Sequence, residues 1–124
     1  ASGFAIGNRS TAALTGNIST NNGCQGVFVG NGSTATLTSN TLANNGANGI
    51  FVGTNPNLPL GINTIVATHN TVHRNGGAGI DLARGATATI NGGSMTLSRE
   101  QGIRLREGAA AAIGLDGAAP VVVS

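Results

Sequence analysis

The chain has 124 residues, of which only 8% are charged and 2% aromatic, with 21 glycines and a formal net charge of +2. Its single cysteine excludes an internal disulfide, no stretch approaches the roughly 20 apolar residues of a membrane helix, and the arginines form no basic, aromatic-interleaved stripe of the kind nucleic-acid binding needs. With 40% apolar residues placed periodically, the expectation is one ordered domain over 1–124 whose surface is Asn, Ser, Thr and Gly rather than charge.

A Gly followed by apolar-x-apolar opens five units: Gly3-Phe4-Ala5-Ile6, Gly26-Val27-Phe28-Val29, Gly49-Ile50-Phe51-Val52, Gly79-Ile80-Asp81-Leu82 and Gly102-Ile103-Arg104-Leu105. The steps between them are 23, 23, 30 and 23 residues, and a fixed period of that size signals stacked repeats. Counted from each Gly, positions 2 and 4 are apolar and the residue between them faces the other way, the period of a strand with one buried face.

In the first unit a second strand carries Ala12 and Leu14, and a third run carries Ile18 one place early with Ser19 at position 17. The turn that follows holds Asn22-Gly23 and then Cys24, read as an unpaired thiol without a role. The second unit repeats the scheme with Ala35, Leu37 and Leu42, and its corners are expected at Asn40 and Asn45-Gly46. The third unit contains seven extra residues between Val52 and Ile65, and its segment 53–61 holds two of the three prolines. Proline lacks a ladder donor, so a bulging loop is expected there, either a groove wall or a tolerated insertion. The strand resumes with Ile65 and Ala67, large and small exchanged so that the summed volume stays nearly constant. Val72 closes this unit, and Asn70 and Asn75-Gly76 mark its corners. The fourth unit places Ala88, Ile90 and Met95 inward, with Gly93 and Ser98-Arg99 where the earlier units have Asn. The fifth has Ala111, Ile113 and, at position 17, Ala118, before Pro120 and a valine run leave the template.

Three short strands and three corners per unit describe one triangular coil, and no 3.6-residue apolar stripe supports a helix. Stacking such coils about 4.8 Å apart yields an all-β solenoid of three parallel sheets. Asn at position 15 or 20 then stands above its counterpart and can pass side-chain amide hydrogen bonds from coil to coil. The recurrent Gly-Ile-x-Val strand and the segment Asn40-Thr41-Leu42-Ala43-Asn44-Asn45-Gly46 resemble the right-handed parallel β-helix of the pectin-lyase-like superfamily. The resemblance covers nearly the whole chain. It implies a right-handed, single-stranded β-helix of about five coils and a secreted or cell-surface location. It is nearly silent on activity, because the superfamily includes polysaccharide lyases, hydrolases, sugar epimerases, phage tailspikes, autotransporter passengers and surface proteins of no assigned activity.

Charge is confined to one end. Residues 1–73 contain only Arg9, and the other charges begin at Arg74. Outward position 3 reads Ala5, Phe28, Phe51, Asp81 and Arg104, and position 6 reads Asn8, Asn31, Thr54, Arg84 and Glu107. Stacking therefore sets Asp81 against Arg104 and Arg84 against Glu107 as cross-strand ion pairs. Phe28, Phe51, Asp81 and Arg104 are expected to lie exposed on one sheet, as the candidate polysaccharide-binding face, above a buried column of Ile50, Ile80 and Ile103.

No catalytic set emerges. Glycoside hydrolysis normally uses two carboxyl groups about 5 to 9.5 Å apart, and only Asp81 points outward from the first sheet. The calcium-dependent lyases of the resembled superfamily use an acid cluster with an Arg or Lys base, and four scattered acids do not supply the six to eight oxygens calcium takes. The acid-plus-histidine motif of its epimerases has no counterpart. His69 and His73 match a metal pair only on a helix, so neither a metal nor another cofactor is expected. Three Asn-x-Ser sequons, at Asn8, Asn17 and Asn31, are matches that chance supplies in so Asn- and Ser-rich a chain.

Two further readings stand beside polysaccharide contact. The chain could be part of a carbohydrate-active enzyme whose catalytic residues lie mostly outside it. Its second strands also present Thr11-x-Ala13-x-Thr15, Thr34-x-Thr36-x-Thr38, Thr64-x-Val66-x-Thr68 and Thr87-x-Thr89-x-Asn91 outward, an array that resembles the ice-binding face of solenoid antifreeze proteins. No signal segment opens the chain and no capping helix closes either end. It is therefore expected to continue into flanking coils or to meet other copies end to end.

Overall fold

A computed structural model describes residues 1–54 and 61–114, together with the backbone of a final strand, Val122–Val123. Most of the expected loop, Asp116, and Ala118 with Pro120 lie outside the described residues.

The first sheet stacks β1 (Phe4–Ile6), β4 (Val27–Val29), β7 (Ile50–Val52), β10 (Ile80–Leu82) and β13 (Ile103–Leu105), all parallel. The second stacks β2 (Thr11–Thr15), β5 (Thr34–Thr38), β8 (Thr64–Thr68), β11 (Thr87–Asn91) and β14 (Ala110–Ile113). The third stacks β3 (Ile18–Thr20), β6 (Thr41–Ala43), β9 (Thr71–His73), β12 (Ser94–Thr96) and β15 (Val122–Val123). This is the expected all-β solenoid of about five coils, and no helix is found among the described residues.

Register follows the repeat. Val27, Ile50 and Ile80 stand in one buried column, and Val29, Val52 and Leu82 in the next. Ile103 continues its column but is only partly buried, because it lies in the last coil of the first sheet. The exchanged pair of the third coil packs as its volumes require. Ile65 sits between Ala35 and Ala88, Ala67 sits between Leu37 and Ile90, and all six are buried. Large-small alternation along the axis keeps the interior filled without strain.

Position 1 is glycine because the corner leaves no room for a side chain. A Cβ on Gly26 would stand 2.8 Å from both the Asn45 Nδ2 and the Gly49 carbonyl, and one on Gly49 would meet Val72 Cγ1. The crowding amide belongs to a ladder. Asn45 Oδ1 accepts from the Asn22 backbone N–H and Nδ2 at 3.1 and 2.8 Å, and Asn75 Oδ1 accepts from the same groups of Asn45 at 3.0 and 2.9 Å. At position 15, Asn40 Oδ1 accepts from the Asn17 N–H, and Asn70 Oδ1 accepts from the Asn40 N–H, both at 2.9 Å. Both expected ladders therefore form, and Asn40, Asn45, Asn70 and Asn75 are buried. A third series was not anticipated: the Ser10 N–H donates to Ser33 Oγ, and the N–H groups of Gly32 and Ser33 donate to Asn63 Oδ1.

The corner assignment needs one correction. Asn at positions 15 and 20 was expected to make the tight turns, but the left-handed residues precede them. Ser39 and His69 have φ of 55° and 54°, and Asn21, Asn44, Arg74 and Leu97 lie between 54° and 58°. The Asn side chains turn inward to bridge coils instead. A second point, Ser19 at position 17, agrees with the expected irregularity. Register is not shifted in the first coil, so Ser19 (4% exposed) pairs with Leu42 and fills the core position, while Ile18 is 73% exposed. The Ser19 hydroxyl donates to the Gly26 carbonyl at 2.8 Å and accepts from Asn22 Nδ2. A third concerns the last coil: Val123, not Ala118, pairs with Met95, so 28 rather than 23 residues separate the partners Ser94 and Val122.

Candidate functional site

The outer face of the first sheet gathers most of the chemistry in the chain. Strand alternation sends position 3 outward, and register lines up Ala5, Phe28, Phe51, Asp81 and Arg104. Phe28 and Phe51 are half-buried and stack, with ring centroids 5.8 Å apart and 14° between planes. Position 5 beneath them is Gly30 and Gly53, and the tip of each ring lies over the glycine two residues on. A side chain at either glycine would push the ring off the sheet.

The column then changes character. Asp81 points outward as expected but is not exposed: its side chain is 0% accessible. Arg104 donates to Oδ2 at 2.6 Å, and Arg106 donates to Oδ1 at 3.0 Å and to Oδ2 at 2.9 Å. Asn48 Nδ2 lies 3.5 Å from Oδ2, at the limit of a hydrogen bond. Burial on its own would raise the Asp81 pKa, but the hydrogen bonds from Arg106 and Arg104, and then their charges, outweigh it and hold the carboxyl below its ordinary value. The same bonds push both guanidinium pKa values up.

The outer rim of the cluster is acidic and wet. Glu100 accepts from Arg104 at 2.6 Å, and Glu107 pairs with Arg84 at 3.2 Å and with Arg106 at 3.3 Å. Both expected cross-strand pairs, Asp81 with Arg104 and Arg84 with Glu107, are present. The sequence reading missed Arg106. Position 5 is Gly7, Gly30, Gly53 and Ala83 in the preceding coils, and a long cation ending a column of small residues beside Asp81 was the available signal. Its guanidinium also covers the Phe51 ring, 5.9 Å from the centroid. The anticipated open shelf of Phe28, Phe51, Asp81 and Arg104 is therefore a stack of two rings closed by Arg106, with the acid sealed beneath two arginines.

With its side chain 0% accessible and both oxygens held by arginine, Asp81 presents no oxygen to solvent for proton transfer or metal binding. Among the described residues, no group of three or more His, Cys, Asp or Glu is placed to hold a metal ion. His69 occupies a left-handed corner against Gly92, His73 ends β9, and Cys24 is a free, exposed thiol. On the second sheet Thr11, Thr34, Thr64 and Thr87 form one outward column and Thr15, Thr38 and Thr68 another, with Thr64 and Thr87 hydroxyls 3.1 Å apart. Val66 interrupts the column between them, and the columns end at Ala110 and Gly114 or beside Asn91.

The family described as right handed beta helix region matches residues 1–114. No curated protein and no solved structure matches the chain.

Proposed function

The chain belongs to the right-handed β-helix family, and on that premise we propose that it is a non-catalytic, polysaccharide-contacting segment of a secreted or cell-surface protein. One observation carries the reading: the outer first sheet pairs an aromatic stack with a carboxylate buried under Arg104 and Arg106. Aromatic rings give apolar faces that suit the C–H face of a sugar, and polar Asn and Thr around them suit its hydroxyls. The clustered charges cancel, Asp81, Glu100 and Glu107 against Arg84, Arg104 and Arg106, which favours a neutral glycan over an acidic one. Flanking coils or further copies of the chain extend the solenoid end to end in this reading.

The enzyme reading ranks second, because a general acid or base needs a proton site open to substrate and Asp81 has none. Ice binding ranks third, because Val66 and Ala110 break the threonine array.

The test has two arms. Native affinity gels containing soluble β-glucan, galactomannan, xylan or polygalacturonate should show retardation by at least one neutral polymer. Incubation with the same polymers should release no reducing ends or unsaturated product. Retardation by none of them removes the binding reading. Turnover that disappears in Asp81→Asn replaces it with the enzyme reading.

A further inference from the structure

Two stacked rings have four faces, and only one is free. The facing sides of Phe28 and Phe51 cover each other, and Arg106 covers the far side of Phe51. The remaining face of Phe28 looks toward the first coil, where its register partner is Ala5. Ala5 is exposed, and two residues on, the floor continues as Gly7 with no side chain. The surface therefore drops by one aromatic side chain between the second coil and the first, leaving a step with a ring as its riser.

The end of the step is polar and unsatisfied. Asn31 follows Gly30, over which the Phe28 ring tip lies, and its Nδ2 is 3.7 Å from where a Cβ on Gly7 would stand. Its Oδ1 is buried and has no hydrogen-bond partner. A buried acceptor without a donor is costly and uncommon, and a turn of the carboxamide that exchanges Oδ1 with Nδ2 over the Gly7 floor brings that acceptor to a hydroxyl in the step.

We propose that Phe28, Ala5, Gly7 and Asn31 form the sugar subsite of the first sheet, with one neutral pyranose stacked on the free face of Phe28 and a ring hydroxyl bound by the Asn31 carboxamide. Phe51 then acts as a positioning residue that backs Phe28, and it does not touch the sugar. The inference rests on the polysaccharide reading above and narrows it to one ring and one coil boundary.

The test uses the full chain in affinity gels with the neutral polymer that retards it most, after far-UV circular dichroism and a thermal melt for each variant. Ala5→Leu fills the step without adding an aromatic face and is expected to weaken retardation at least tenfold. Phe28→Leu keeps packing volume but removes the ring, and the same loss is expected. Asn31→Ala should cost several-fold, and Phe51→Leu less than threefold. Normal binding by folded Ala5→Leu, or a loss in Phe51→Leu equal to that in Phe28→Leu, overturns the subsite while leaving the polysaccharide reading intact. Absence of retardation in the unmodified chain removes both. Should Ala5→Leu fail to fold, Gly7→Ser narrows the same floor and is judged by the same criterion.

Discussion

Arg106 reaches back one coil to grip both carboxylate oxygens of Asp81, Nε on Oδ1 at 3.0 Å and Nη2 on Oδ2 at 2.9 Å. Arg104, stacked directly on Asp81, adds a third charged hydrogen bond at 2.6 Å. An anion removed from water must be repaid by such contacts, and removing one member leaves the others uncompensated.

Asp81→Asn should therefore destabilise the chain. A fully buried pair broken on one side costs about 3–5 kcal/mol. Both arginines reach water here, which screens them, so a loss of about 2 kcal/mol is expected. Urea unfolding followed by circular dichroism reads this as a lower midpoint with an unchanged slope.

The same group gives a pH dependence with a definite sign. Asp81 has its folded pKa held below its ordinary value of 3.8. Its contribution is complete above 3.8 and is lost as the pH falls through the lower, folded value. The gap in urea midpoint between the unmodified chain and Asp81→Asn should therefore be constant from pH 7 to about 5 and should shrink at more acid pH. A gap that persists undiminished at pH 2 would show that the carboxylate charge is not what stabilises the cluster.

Asn45→Ala should remove a joint from three coils at once. Asn45 accepts from the N–H and Nδ2 of Asn22 and donates from Nδ2 to Asn75 Oδ1 and the Ser19 carbonyl. Buried groups left unpaired cost about 1–3 kcal/mol each, and partial rescue by water brings the expected total to about 3 kcal/mol. Hydrogen exchange should accelerate at the Asn22 amide before it does so in β8.

Leu97 offers a change in the opposite direction. It is 63% exposed and holds φ of 54°, a conformation costing a bulky L-residue roughly 1–2 kcal/mol. The same corner of the first two coils uses Asn21 and Asn44 at φ of 58° and 55°. Leu97→Asn should thus raise stability by about 0.5–1 kcal/mol, seen as a thermal midpoint higher by a few degrees. No change in midpoint would mean that the packing lost with Leu97 matches the strain relieved.

The repeat made the strands, the register and both ion-pair steps legible, because a fixed spacing dictates which residues stack. Phe28 and Phe51 were placed on one outward column for the same reason. Alternation, however, says only which way a side chain leaves the sheet, not what folds over it. Arg106 lies two positions from Arg104, and its long side chain bends across the neighbouring strand onto Asp81, so the burial of that acid has no periodic signature. The corners were misplaced by one residue because Asn serves both left-handed turns and amide ladders. Composition alone does not separate those roles. Ser19 was anticipated as an irregularity, and its hydroxyl shows why the core tolerates it: the Gly26 carbonyl and Asn22 Nδ2 satisfy it inside.

The amide ladders run one way. Backbone donors of Asn17, Asn22 and Ser10 in the first coil are met by side-chain acceptors of the second, and those of Asn40, Asn45 and Ser33 by the third. A chain emerging from the ribosome delivers the needy coil before the coil that satisfies it. These corners of the first two coils must wait for roughly one more period of synthesis before their donors are closed, whereas the Ala78 N–H is met by Asn48 of the coil already made, so closure of the early coils trails translation by a coil.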